Sequence, residues 1–406
     1  MATRATWSLA SQAISSACSF LLTVAVLHEA SISQFAVFSV CFTTYLLLLQ
    51  LSRSIFGLPI LILYSDRPAG ADGTAVPESR KAAGGSVALG LAAAVALLIA
   101  AGVVDAEPGQ YATMGLAVPF LLYQDAVRHF AFARARPQMA VASDGLWLGL
   151  QLVGSVAALA TGNDSPVVLV GIWGLSGAVA GVAAGLKLSY LPLINSSVAW
   201  LKLNASLCRK LLTEFAANSG SYYALLYGLA FVAGLDALGA LRAAHTFIGP
   251  VIVLLLGANS LGVPEGVRMK DDHSALLRFT SLIATALAAA SLVWGVAIYY
   301  TLPWLGPRLF TETWATARPL IPLLSVFAAG VGVAVGLTSG LRAFSLHGWI
   351  MKSRAAASGL VLLVGLPGAI LLDAGGALLG LLAGEWLFCV LAAFRLHRAF
   401  RTAGRG

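Results

Sequence analysis

Twelve times along this chain a run of about 20 predominantly apolar residues is followed by a short polar break, and that rhythm restricts the fold more than any single residue does. An apolar helix of that length matches the ~30 Å hydrocarbon core of a bilayer, and inside that core only structures that satisfy their own backbone hydrogen bonds survive. The runs fall at Trp7–Leu27, Gln34–Leu63, Gly84–Val104, Tyr111–Ala133, Ser143–Thr161, Pro166–Leu188, Thr213–Ala233, Gly239–Val263, Ala275–Tyr300, Ala317–Gly340, Ser353–Leu372 and Gly376–Phe394. They are numbered here as segments 1 to 12. With 59% hydrophobic and 10% charged residues, no soluble core could hide so much apolar surface. The expected fold is an all-α polytopic membrane protein of about twelve transmembrane helices.

The basic residues test the count independently. Of 25 Lys and Arg, 21 fall on one side when alternate breaks are sorted: Arg4; Arg67, Arg80 and Lys81; Arg128, Arg134 and Arg136; Lys187, Lys202, Arg209 and Lys210; Arg268, Lys270 and Arg278; Arg342, Lys352 and Arg354; Arg395, Arg398, Arg401 and Arg405. The other side holds Arg242, Arg308 and Arg318, and Arg53 lies within segment 2. Because cytoplasmic loops collect Lys and Arg, this asymmetry fixes the parity and places both termini in the cytoplasm of a plasma-membrane protein. The net charge of +8 is explained by the same distribution, so nucleic acid is not an expected partner. The four cysteines, Cys18, Cys41, Cys208 and Cys389, form neither a CxxC pair nor a disulfide framework.

The longest break divides the segments six and six. The expected organisation is an N-terminal six-helix lobe (1–195), a cytoplasmic linker (196–212) and a C-terminal six-helix lobe with a short basic tail (213–406). A weak self-similarity supports a repeat. Gly57-Leu58-Pro59 matches Gly262-Val263-Pro264 at an offset of 205, and Asp125 to Phe130 matches Ser339 to Phe344 at an offset of 214. Six helices per copy give both copies one orientation, hence a parallel pseudo-two-fold repeat about the membrane normal.

Polar residues within the apolar runs are the candidate functional groups. Segment 1 lines up Ser8, Gln12, Ser15, Ser19 and Thr23 at helical spacing, and segment 7 offers Glu214, Asn218 and Ser221 or Tyr222. Segment 2 sets Thr43, Gln50, Arg53 and Gly57 on one stripe, with Arg53 roughly 15 Å from the inner end. A guanidinium so deep must face water or a partner, either a ligand or buried carbonyls and Asp144. Segment 8 carries Arg242, His245, Thr246 and Gly249 on one stripe. Segments 1, 2, 7 and 8 are thus expected to face a shared interior. In segment 4, Asp125 has Arg128 and His129 one turn away; this reads as a proton or ion relay, or as a self-compensated ion pair near the cytoplasmic face with Arg128 reaching out to it. Asp144, Trp147, Gln151 and Ser155 form a stripe on segment 5, and Glu385 is alone in segment 12.

The stretch Ala30-Ser-Ile-Ser-Gln-Phe-Ala-Val-Phe-Ser, followed by a long apolar helix and Leu51-Ser52-Arg53, resembles the start of Wzx-type polysaccharide flippases of the multidrug/oligosaccharidyl-lipid/polysaccharide (MOP) exporter superfamily. Leu238 to Ala244 with Gly249-Pro250 is similar to the start of their second half, and Leu302 to Gly306 leading to Trp314 through Pro319 to their entry into segment 10. Ala36 stands where the family usually has glycine. The resemblance implies two six-helix lobes around a cavity that opens alternately to either side and carries a polyprenyl-pyrophosphate-linked oligosaccharide for cell-surface polysaccharide biosynthesis. It implies a cationic cavity, matched here by Arg53 and Arg242, with Gln50, His245, Gln12 and Asn218 beside them. Asp125, Arg128, His129 and Asp144 are the coupling candidates. Partners would be the bilayer, the lipid-linked saccharide, and a polysaccharide polymerase or glycosyltransferases; no cofactor, metal or enzymatic activity is expected. The rival readings are a MATE-like drug/cation antiporter, which would want an acidic cavity, a membrane-embedded glycosyl- or acyltransferase, and a nontransporting scaffold. No Gly-rich phosphate loop with Lys-Ser or Lys-Thr occurs, so ATP is not the expected direct energy source.

Overall fold

The computed structural model describes residues 2–64, 72–269, 272–310 and 312–403. Arg67, Lys270 and Arg405 lie outside the described residues, as do the side chains of Arg4 and Ser8. Among the described residues the chain is helical throughout, with no strand. Nine of the helices among these described residues are long and apolar enough to cross a membrane. Their outer faces carry Leu, Val and Phe, such as Val153, Phe231 and Leu363, all more than two-thirds exposed, while Ser, Gln, Asp and Arg are found inside. That inversion suits a hydrocarbon solvent, where apolar side chains lose nothing by facing outward and polar ones need protein partners.

Contacts between residues divide the chain into two compact units. The first comprises residues 1–30 and 37–215, with α1 (Ala2–Glu29), α2 (Ile32–Ser52), α3 (Leu58–Tyr64), α4 (Asp72–Val103), α5 (Pro108–Ala133), α6 (Pro137–Ala160), α7 (Pro166–Lys187), α8 (Ser197–Leu203) and α9 (Ala205–Phe215). Its hub is α5, which packs on α4, α6 and α7. Glycines make this possible: a Cβ at Gly174, Gly177, Gly181 or Gly185 of α7 would collide with Ala117, Leu121, Gln124 or Tyr123 of α5. Such small-residue seams let backbones approach where no hydrophobic force drives helices together.

The second unit comprises residues 31–36 and 216–406, with α10 (Ser221–Val232), α11 (Leu235–Arg268), α12 (His273–Leu309), α13 (Thr313–Ala317), α14 (Ile321–Ala343) and α15 (His347–Ala403). Here α14 is the hub, packing on α11, α12 and α15, and its Gly332 and Gly336 lie against the backbone of α12. The 57-residue α15 is interrupted at Leu372 and Asp373, where Asp373 takes φ 50° and ψ −133°, so 347–371 and 374–403 form a hairpin. Gly368 and Gly376 meet backbone to backbone inside it. The hubs also end alike. Ala135 after α5 and Ser345 after α14 adopt positive φ, and each helix closes with paired bonds, Arg136 N to Ala131 O with Ala135 N to Phe132 O, and Leu346 N to Leu341 O with Ser345 N to Arg342 O.

Between α2 and α3 the chain does not break but widens into a π turn at Arg53–Gly57. The cause lies in Pro59, which has no N–H for the carbonyl of Ile55, four residues back, and whose ring crowds that turn. The thiol of Cys208 donates to this Ile55 oxygen at 3.2 Å instead. A second π turn at Ala216–Gly220 leads into α10, and there the Ser358 hydroxyl donates to the Ala217 carbonyl at 2.8 Å.

Candidate functional site

In the first unit the candidates Gln50, Arg53, Asp125, Arg128, His129 and Asp144 come together, with Ser15 beside them. Gln124, Asp125 and Arg128 lie buried on α5, and the π turn aims Arg53 at them. Asp125 accepts from Arg53 Nε at 3.0 Å and from Nη2 at 2.8 Å, a two-point fork, and from Arg128 Nη1 at 3.2 Å. Arg53 Nη1 has a contact of 3.4 Å with Gln50 Oε1. The His129 Nδ1 sits 2.8 Å from the Asp125 carbonyl and 3.4 Å from its carboxylate, and its ring packs where a Cβ on Gly57 would intrude. On α6 the fully buried Asp144 accepts from Ser11 Oγ and from Gln124 Nε2, the latter at 2.9 Å. Arg128 Nε lies 3.1 Å from Asp144 Oδ2, a charge contact whose N–H is not aligned for a hydrogen bond. Arg128 also donates to Ser11 at 3.1 Å and to Ser15 at 3.4 Å.

Two guanidinium groups are therefore matched by two carboxylates, and the cluster carries no surplus charge. Forked, charge-assisted bonds of this kind are the strong ones, and a half-satisfied buried charge would cost several kcal/mol. The partner of Arg53 is Asp125, not Asp144 or backbone carbonyls. Arg128 does not reach out of the membrane: with its side chain 7% exposed, it is a buried crosslink between α1, α5 and α6. Gln12 stands apart, exposed and bonded to Ser16 at 3.2 Å, because the inward face of α1 runs through Ser11, Ser15 and Cys18.

In the second unit a cavity of about 520 Å³ is lined by Asn218, Tyr222, His245, Arg342, Arg354 and Glu385, among others. His245 is held by the Leu241 carbonyl at 2.9 Å and meets the Tyr222 ring edge-on at 6.2 Å. Arg242 lies beside the Tyr222 hydroxyl. Glu385 is not alone: Arg354 donates to its Oε2 at 2.7 Å. Sequence reasoning overlooked Ser11, the Arg354–Glu385 pair and the position of Arg342 in this cavity. No group of three or more His, Cys, Asp or Glu that could hold a metal occurs among the described residues.

No family model matches the chain, and no curated protein does. Solved structures do. An inward-facing multidrug resistance MATE transporter of the MOP superfamily aligns over 96% of this chain and 96% of its own at a TM-score of 0.70 and 11% identity. The chain has the fold of the MOP-superfamily transporters. A lipid II flippase, MurJ, in an inward closed conformation shows the same TM-score of 0.70 at 10% identity, over 97% of this chain and 87% of its own. At such identities the MOP fold is shared while side chains diverge, so the two ionic clusters above are properties of this chain.

Proposed function

We propose that this protein is a multi-pass transporter that flips a polyprenyl-pyrophosphate-linked oligosaccharide across the plasma membrane by alternating access, in the service of cell-surface polysaccharide assembly. Eight of the nine apolar helices found among the described residues, with α5, the helix completed by α10 and the two arms of the ninth, α15, are read as twelve spans in two six-helix halves with both termini cytoplasmic. One observation carries the choice of substrate class. The buried carboxylates described within the helices, Asp125, Asp144 and Glu385, each face an arginine, so none is offered to an organic cation. That disfavours a drug/cation antiporter and leaves guanidinium groups as the recognition chemistry. Arg53, a quarter exposed, keeps Nη1 weakly engaged and able to meet a phosphate oxygen. The likeness to a lipid II flippase supports the same reading.

The test is reconstitution in proteoliposomes with a fluorescent polyprenyl-pyrophosphate saccharide, followed by quenching of the label from outside. Time-dependent loss of protected label is expected, together with its abolition in Arg53→Ala protein that still inserts in the membrane. Accumulation of an organic cation with no movement of the lipid-linked sugar would replace this reading by the antiporter.

A further inference from the structure

The cavity of the second unit has room for roughly 17 waters at ~30 Å³ each, enough for a diphosphate group with part of its hydration. Arg354 enters it from α15, its guanidinium stacked 3.6 Å from the Phe388 ring centre and bonded to Glu385 Oε2. The other oxygen, Glu385 Oε1, is buried with no hydrogen-bond partner among the described residues, in a side chain 10% exposed. Arg342 lines the same cavity from the last turn of α14, half-buried. The helix end favours a cation there but supplies nothing for its five N–H donors, and among the described residues its side chain has no hydrogen bond or ion pair. Two guanidinium groups thus face one half-satisfied carboxylate, a surplus of one positive charge in a confined space. A polar amide, Asn218, is exposed on the π turn at the same wall.

We propose that this cavity is an oxyanion subsite for a phosphate or diphosphate ester, gripped by Arg342 and Arg354, in which Glu385 acts as an internal competitor that occupies Arg354 until the anion displaces it. The competition sets a ceiling on affinity, which suits a site that must also release. A carboxylate with one satisfied oxygen is easier to displace than one held at both. The inference deepens the flippase reading, resting on it only for the identity of the ester.

The experiment uses the full chain in nanodiscs, titrated by calorimetry with inorganic pyrophosphate and, separately, with a water-soluble prenyl diphosphate. Saturable binding is expected, weakened at least about tenfold by Arg342→Ala, the size of one charge-assisted contact, and strengthened by Glu385→Gln, which releases Arg354 without changing shape. Should Glu385→Gln fail to fold, Arg342→Ala still decides, because Arg342 holds no structural bond. Binding of both probes points to the phosphate alone, and binding of the prenyl ester alone to a lipid headgroup; either supports the site. Absence of saturable binding, indifference to Arg342→Ala, or weaker binding in folded Glu385→Gln overturns it. A protein that binds pyrophosphate but moves no lipid-linked sugar refutes the flippase and leaves the subsite standing.

Discussion

Removing the Asp125 carboxylate tests the ionic cluster of the first unit most severely. Asp125 is 5% exposed and receives both Arg53 in a fork and Arg128. In Asp125→Ala, two guanidinium groups face Asp144 alone, and Arg53 retains only its 3.4 Å contact with Gln50. Breaking a buried pair by deleting one partner costs about 3–5 kcal/mol, and the quarter exposure of Arg53 lets water recover part of that. A loss of about 3 kcal/mol is therefore expected, more than a hundredfold in the folded-to-unfolded ratio. Asp125→Asn combined with Arg53→Gln removes both charges of the fork and should cost less than the two single changes summed, with a coupling of roughly 1–3 kcal/mol. Reversible unfolding in mixed micelles, monitored by tryptophan fluorescence, measures all four variants against the unaltered protein. Destabilisation below about 1 kcal/mol in Asp125→Ala, or additivity within about 0.5 kcal/mol, would refute the claim that this carboxylate anchors the two arginines.

Other consequences are open to simpler assays. Gly376→Val places a side chain into the backbone of Gly368 and should abolish the monodisperse peak in size-exclusion chromatography, whereas Gly102→Ala, with nothing within 4 Å, should fold normally and gain up to about 1 kcal/mol. Pro59→Ala restores an N–H to the Ile55 carbonyl, so Cys208 should lose its acceptor and react faster with a maleimide; an unchanged rate would mean that proline does not maintain the π turn. At the start of α12, the Ala275 backbone N–H and the Ser274 hydroxyl hold the Asp272 carboxyl below its usual range. Its capping contribution is accordingly present above the unfolded-state value and lost as pH falls through the lowered one; hydrogen exchange of the first turn should accelerate in acid, and Asp272→Asn should flatten that dependence.

The sequence made the helices legible because hydrocarbon imposes one rule on every span, and it made Arg53 conspicuous because charge is rare at that depth. It could not name the partner of Arg53. Spacing reveals neighbours on one helix, so Asp125 was matched with Arg128 and His129, whereas Arg53 reaches it from 72 positions away. Glu385 looked solitary for the same reason, its arginine lying 31 residues earlier across the α15 hairpin. On α1, only packing against α6 showed that Ser11 faces inward beside Ser15 and that Gln12 does not. The first π turn had a signal in Pro59; the second has none in the residues that form it.

The zero net charge of the Arg53, Asp125, Arg128 and Asp144 cluster has an electrical meaning. A single uncompensated charge carried through the whole membrane field exchanges about 2.3 kcal/mol for every 100 mV, whereas two opposite pairs moving together exchange almost none. Whatever displacement the first unit undergoes, the resting voltage neither helps nor hinders it through these four side chains.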